Sequence, residues 1–427
     1  MTVQTIHDLF LKCTKVSIDT RRIEHDTFFV ALKGERFDAN TFAKEALQKG
    51  ARYVVIDNPS YYIDERTILV ENSLKTLQDL AQYHRDYLKL PIVALTGSNG
   101  KTTTKELINV VLSKKYTVKA TVGNLNNHIG VPLTLLSFTQ ATEIGIVEMG
   151  ANHQKEIEFL CAIAKPDYGY ITNFGKAHLE GFGGVEGVIK GKSEMYAYLD
   201  SHHKMAFVNL DDPIQVSKTT ALKRFTFGQK SVAADLTIEN CSANPFVTVY
   251  IKGVAVNSHL IGLYNAHNVN AAVAIGTHFG VPLDSIKEAI ESYIPENNRS
   301  QLLQQGSNQI ILDAYNANPS SMRVALENFV QLDKPNKAII IGDMYELGDE
   351  SLVEHRGIVD YLTENASFPC YFVGKDFYAN AVMKSNYHFF NSFEAFADQL
   401  PSISFSQCTL LIKGSRGMAL ERVLDFL

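Results

Sequence analysis

The stretch Pro91-Ile92-Val93-Ala94-Leu95-Thr96-Gly97-Ser98-Asn99-Gly100-Lys101-Thr102-Thr103 decides the fold. A short apolar run enters it, two glycines punctuate it, and a helical pattern from Thr103 to Val111 leaves it. Strand, turn and helix in that order aim the amides of a new helix N-terminus at an anion. Gly97 and Gly100 allow the tight bend. Lys101 brings positive charge to terminal phosphates, and the Thr102 hydroxyl is placed to bind Mg²⁺. The stretch reads as a nucleoside triphosphate loop, with Gly97, Ser98, Asn99, Gly100, Lys101, Thr102 and Thr103 around the phosphates. The full loop pattern has glycine six residues before the lysine, where this chain has Leu95.

Outward from the loop, short apolar runs alternate with helical patterns and end in polar residues. Ile144-Gly145-Ile146-Val147 ends in Glu148, Tyr168-Gly169-Tyr170-Ile171 in Thr172-Asn173, and Met205-Ala206-Phe207-Val208 in Asn209. This rhythm predicts an α/β fold with a parallel sheet and ligand groups at the carboxyl ends of its strands. Residues 232–262 alternate like antiparallel strands. A second α/β block follows, with Ile310-Ile311-Leu312 leading to Asp313, Ala338-Ile339-Ile340-Ile341 to Gly342-Asp343, and Leu410-Leu411-Ile412 to Lys413-Gly414-Ser415-Arg416. Before the loop lie β-like runs at Thr27 to Leu32 and Tyr53 to Ile56 and a helical pattern near Ser73 to Tyr87. The expected domains are 1–88, 89–296 and 297–427. Neither α/β block carries G-x-G-x-x-G after a strand, so a dinucleotide site is unsupported.

The 427 residues are 45% hydrophobic and 20% charged, as in a globular enzyme, and carry a formal net charge of -6. No basic block suggests nucleic acid as a partner. Five dispersed cysteines without C-x-x-C suggest neither zinc nor a disulfide framework. The N-terminus lacks the pattern of a signal peptide, and no apolar run is long enough to span a bilayer. A cytoplasmic enzyme with no membrane partner is expected.

Several polar groups stand at strand ends or helix starts. Glu148 suits Mg²⁺, which takes oxygen ligands. His178 lies in N-F-G-K-A-H-L-E-G-F-G beside Glu180. Lys192, in K-G-K-S-E, reads on composition as a solvated surface lysine. Asn265 and Asn268 open a helix, where N-capping is one role and reading a base another. Arg299 stands at the junction between blocks, where it is able to clamp a γ-phosphate. Asp313, Asp343 and Lys413 to Arg416 share the carboxyl edge of the last block, facing one cleft.

Together these motifs resemble the Mur ligase family of peptidoglycan synthesis, over essentially the whole chain. The resemblance rests on T-G-S-N-G-K-T-T-T-K-E, G-N-L-N-N-H-I-G-V-P-L-T-L-L, E-M-G-A-N-H-Q-K-E-I, N-F-G-K-A-H-L-E-G-F-G and V-N-L-D-D. The family's loop lacks the first glycine, which accounts for Leu95. D-A-Y-N-A-N-P-S-S-M, G-D-M-Y-E-L-G and I-K-G-S-R-G-M resemble the member that joins D-alanyl-D-alanine to UDP-N-acetylmuramoyl-tripeptide. The resemblance implies three domains: a small N-terminal α/β substrate domain, a central P-loop-type ATPase with a parallel sheet, and a Rossmann-like C-terminal domain. It implies ATP and two Mg²⁺ ions. Lys101 would hold the β/γ-phosphates, Thr102 and Glu148 one Mg²⁺, and His178 would help bind the second. Lys192 resembles a family lysine that becomes carbamylated and so ligates Mg²⁺. Lys101, Glu148, His178 and Lys192 would be the catalytic set. Asn265, Asn268, Arg299 and Asp313 would contact ATP. Ser17, Thr20 and Arg21 would hold the uridine-diphosphate end, and Asn124, Asn126 and Asn127 would lie near the peptide.

Two positions depart from the family pattern. Asp38-Ala39-Asn40 replaces D-G-H beside the expected uracil contacts, and Tyr264 stands where histidine is common beside the expected adenine contacts. A monomer acting on small molecules is expected. The alternatives are the ligase adding the third peptide residue, a folylpolyglutamate synthase-like ligase, and a nucleotide-binding switch protein.

Overall fold

The computed structural model describes residues 1–229, 231–296 and 298–427. Residue 297, where the sequence places the start of the last domain, lies outside the described residues. Three sheets in sequence order carry the chain, with a small antiparallel sheet between the second and the third.

The central sheet has seven strands, every adjacent pair parallel. Across it run Leu236–Ile238, Lys223–Gln229, Met205–Asn209, Tyr168–Ile171, Ile92–Thr96, Ile144–Glu148 and Val118–Ala120. The strand Ile92–Thr96 is buried along its whole length, which explains its continuous apolar run. The chain runs outward from it in both directions, so the phosphate loop sits at the topological switch point, where open α/β sheets bind ligands. Leu95 pairs in register with Glu148 on one side and Tyr170 on the other.

The expectation for residues 232–262 is corrected in part. Leu236–Ile238 joins the central sheet in parallel, and the antiparallel strands are Asn240–Ala243, Phe246–Ile251 and Val254–Ile261. The helix after the loop spans Lys101–Leu112, two residues earlier than the apolar pattern indicates. Its first turn is polar and faces the cleft.

The N-terminal sheet has four parallel strands, Lys15–Ser17, Thr27–Val30, Ala51–Ile56 and Thr67–Leu69. The helix Ser73–Leu88 then packs on the central helices Gly130–Leu136 and Glu156–Ala164. A buried polar chain crosses here: His7 Nε2 meets His84 Nδ1 at 2.9 Å, and His84 Nε2 meets the Phe138 carbonyl at 2.9 Å. The C-terminal sheet has six strands, five of them parallel. Gln301–Gln305 forms an antiparallel edge on Asn308–Asp313. That sheet brings Asp313 and Lys413 into register as neighbours.

Candidate active site

Gly97 and Gly100 both have positive φ, 141° and 77°. A Cβ on Gly97 would come within 2.0 Å of Thr172 Oγ1, and one on Gly100 within 2.5 Å of Asn268 Oδ1. The loop is thus pressed between the next strand end and the helix Ala266–His278. Ser98 Oγ donates to the Gly175 carbonyl at 2.7 Å, and the Asn99 amide donates to Asn173 Oδ1 at 3.1 Å. Lys101 Nζ donates to the carbonyls of Gly97 and Ser98, at 2.8 and 3.3 Å. The enclosing cleft pushes this ammonium below its usual value, and Arg299 adds to the effect while Glu148 opposes it.

Glu148 is 1% exposed at the end of its strand. One carboxylate oxygen accepts from Thr102 Oγ1 at 2.9 Å, the other from Asn126 Nδ2 at 2.9 Å. Its own amide is held by Thr121 Oγ1 at 3.0 Å. These partners are all neutral, and among the described residues no cation makes a direct hydrogen bond to this buried carboxyl group. A carboxylate and a hydroxyl aimed at one point fit a hard divalent cation.

Lys192 overturns the surface reading. It is 1% exposed, donates to the Ala151 carbonyl at 3.2 Å, and lies 5.0 Å over the Phe182 ring. Burial pushes its amine well below the usual value, and the charge of Lys101 pushes it further. Composition misled because the helix Val185–Ser201 turns this face inward under Phe182. An amine or ammonium is no ligand for Mg²⁺, whereas a neutral amine is able to take up carbon dioxide and become one.

His178 has φ of 53° and contacts the Glu346 carboxylate through Nδ1 rather than Glu180. Burial lowers its pKa first, Glu346 opposes, and the charges of Lys101 and Lys192 lower it further. No hydrogen bond joins His178 or Lys192 to Glu148 among the described residues. Among the described residues no group of three or more His, Cys, Asp or Glu is placed to hold a metal.

Asn265 and Asn268 hold each other, Asn268 Nδ2 donating to Asn265 Oδ1 at 2.8 Å. Asn265 occupies the N-cap position of the helix Ala266–His278, as the sequence allows, but its side chain makes no capping hydrogen bond. Asn265 Nδ2 turns to the Ile261 carbonyl, and Asn268 Oδ1 accepts from Thr104 on the loop helix. Tyr264 points its hydroxyl at Ser300 Oγ, 3.1 Å away, and faces the same cleft. Arg299 stacks its guanidinium 3.6 Å over the Tyr315 ring. Asp313 accepts from Lys413 Nζ at 2.6 Å and from the Ser300 amide at 3.1 Å.

One cavity of about 1080 Å³ takes in the loop residues Ser98 to Thr103, then Asn124, Asn126, Asn127, Glu148 and His178. It also reaches Asn265, Asn268, Arg299, Asp313 and Lys413. Gly97 and Lys192 lie behind its wall. Ser17, Thr20 and Arg21 are not among its lining residues. Arg21 is exposed at the end of the N-terminal sheet and forks onto Asp19, while Ser17 Oγ donates to the Asp19 carbonyl. Asn40 is fully buried and bridges Asp38 and Asp57, while the Asp57 amide donates back to it. It shapes its loop instead of facing a ligand. Asp343 also turns away from the cleft, its carboxylate accepting the amides of Asp376 and Phe377. Asn318 lines the cavity, and Glu346 and Glu354 contact His178 and Lys176 beside it; none of the three is singled out by the sequence reading.

Residues 95–276 match the Mur ligase middle domain, residues 298–416 the Mur ligase glutamate ligase domain, and residues 12–85 the Mur ligase family catalytic domain. The chain is 32% identical over 425 residues to UDP-N-acetylmuramoyl-tripeptide–D-alanyl-D-alanine ligase of Bacillus subtilis, covering 96% of this chain and 92% of that protein. MurF from Acinetobacter baumannii superposes with a TM-score of 0.86 at 29% identity, over 99% of this chain and 98% of that one. MurF ligase from Thermotoga maritima in complex with ADP superposes with a TM-score of 0.84 at 27% identity, over 98% and 97%. The three family matches, together with a relative 32% identical along nearly the full length of both chains, show that the chain belongs to the Mur ligase family.

Proposed function

We propose that this chain is an ATP-dependent ligase that joins D-alanyl-D-alanine to UDP-N-acetylmuramoyl-tripeptide, making the pentapeptide precursor of peptidoglycan. The observation that carries the reading is the phosphate loop whose Thr102 is hydrogen-bonded to buried Glu148, inside a cleft walled by the C-terminal domain. Of the ligases the sequence leaves open, the full-length relatives favour this one over the enzyme adding the third residue and over a folylpolyglutamate synthase. A nucleotide switch would not need the muramyl substrate.

A carboxylate repels nucleophiles. In the first step a terminal carboxylate oxygen of the tripeptide attacks the γ-phosphorus of ATP, the bond to the β-phosphate oxygen breaks, and ADP leaves. The acyl phosphate is then attacked by the amine of D-alanyl-D-alanine. The amide bond forms, the amine loses a proton, and phosphate departs with the electrons of the acyl C–O bond. Loop amides and Lys101 orient the transferring group and balance its charge, so positioning and electrostatics carry the rate. Thr102 and Glu148 fit one Mg²⁺; His178, with Lys192 once carbamylated, would take a second. Bound Mg²⁺ supplies further neutralisation of phosphate charge. Arg299, braced on Tyr315, reaches the phosphates from across the cleft. Asn265, Asn268 and Asp313 contact the nucleoside. Asn124, Asn126 and Asn127 line the peptide side, and Ser17, Thr20 and Arg21 hold the uridine-diphosphate end. The domain limits 1–88, 89–296 and 297–427 belong to the same proposal. So do a monomeric state and a cytoplasmic setting, where ATP and a UDP-linked precursor coexist.

The test is phosphate release from ATP and Mg²⁺ with each substrate alone and with both, the third tripeptide residue being lysine or diaminopimelate. Release that needs both substrates, with a pentapeptide product by mass, is expected. Release unaffected by either substrate, for both tripeptides, would overturn the proposal.

A further inference from the structure

The segment Gly175 to His178 leaves the central sheet and is met by the C-terminal domain along its length. The Lys176 amide donates to Ser320 Oγ at 2.8 Å, the Lys176 ammonium pairs with Glu354, and Glu346 touches His178. A further contact reaches the phosphate loop itself: Asn318 Nδ2 donates to Asn99 Oδ1 at 2.7 Å. The Asn99 backbone is already fixed to the central sheet, its carbonyl accepting from Thr172 Oγ1 and Asn173 Nδ2. With its backbone so fixed, Asn99 turns its side-chain oxygen to the other domain.

Asn318 is held for that task. Its Oδ1 accepts from the Ser321 amide at 2.9 Å, and Ser321 Oγ accepts from the Asn318 amide at 3.0 Å, a capping box on the helix Pro319–Gln331. The oxygen of the side-chain amide caps the helix while the nitrogen is presented across the cleft. A rotamer already fixed by the cap loses little further freedom in bonding to Asn99. This bond ties the start of the helix directly to the phosphate loop.

We infer that Asn318 is a positioning residue that couples the phosphate loop to the C-terminal domain, so that the loop takes up its working shape as the cleft closes. The inference rests on the ligase reading above. It touches no reacting atom and acts through Asn99.

Asn318→Ser separates the two duties. Serine is an equally strong helix cap, but its hydroxyl is too short to reach Asn99. The expected result is an unchanged melting temperature, kcat lowered about five- to tenfold, the scale of one neutral hydrogen bond, and KM for D-alanyl-D-alanine unchanged. Asn99→Ala combined with Asn318→Ser should fall no lower than Asn99→Ala alone, because both remove the same bond. Small-angle scattering should show a larger radius of gyration for Asn318→Ser. Wild-type kcat with an unchanged radius would overturn the inference, as would effects that multiply in the double variant. If Asn318→Ser proves unstable, Asn318→Thr keeps a hydroxyl cap and repeats the cycle. An inactive wild-type chain would instead overturn the ligase reading, and scattering, which needs no turnover, would still decide the link.

Discussion

The phosphate loop and the N-terminal strand end both face an anionic substrate in the proposed reaction, and they are built in opposite ways. The loop is backbone held by backbone and neighbours: Gly97 against Thr172, Gly100 against Asn268, Ser98 on Gly175. Removing one atom's worth of space would disturb it. At the N-terminal strand end, Arg21 stands 86% exposed and pairs with Asp19, two residues away. That neighbouring guanidinium holds the Asp19 carboxyl down at about 2. The difference separates chemistry from recognition. A transferring phosphoryl group needs donors fixed before it arrives, whereas a distant handle needs only charge within reach.

The comparison can be broken most forcefully at Lys101. Lys101→Ala should lower kcat by roughly 10²–10⁴ with the fold intact, by analogy with other lost electrostatic stabilisers. A folded variant turning over at the wild-type rate would remove the loop from the mechanism. Lys192→Ala is expected to lose most activity, and bicarbonate should not restore it, since no amine remains at that position to carry a carbamate; a small-acid rescue of the shortened side chain is the informative result. Full activity in the untreated variant would end the carbamate role. Arg21→Ala should raise KM for the UDP-linked substrate about tenfold with kcat and melting temperature unchanged, as expected for one charge-assisted phosphate contact. A fall in kcat instead would mean that the N-terminal region takes part in chemistry.

The smallest effect concerns how that region is attached. Burial pushes His7 down to about 4, helped by His84 and opposed by Asp8, and burial lowers His84 as well. Both rings are therefore neutral in the folded chain, while the unfolded chain takes up protons below about 6.5. The stability they contribute is present above that pH and is lost as pH falls towards 4. Thermal melts of His7→Gln should show a shallower decline than wild type over that window. Parallel curves would show that the histidine pair does not govern the attachment.

The loop was legible because its signal is local. Strand, glycine spacing, lysine and threonine lie within thirteen residues, and the parallel sheet follows from the polar endings of apolar runs. Lys192 was not legible from residue type, because its burial depends on Phe182 folding over it, and only the family resemblance singled it out. Asn318, Glu346 and Glu354 depend on how one domain docks on another. In the motif containing Asn318-Pro319-Ser320-Ser321, nothing local points the side-chain nitrogen of Asn318 at residue 99. The antiparallel edge Gln301–Gln305 was missed because its glutamines break the apolar pattern.

Leu95 pairs with Glu148 across the sheet, and this register has a consequence for how the chain can change over time. A residue gained or lost within either strand would shift the carboxylate by about 3.3 Å and turn it to the opposite face. Thr102 would then lose its partner even though every side chain named above were kept. Lineages of this protein should therefore vary freely in the apolar identities of these two strands while holding their lengths constant. Insertions should collect at the opposite edge of the sheet, where no ligand group depends on the count.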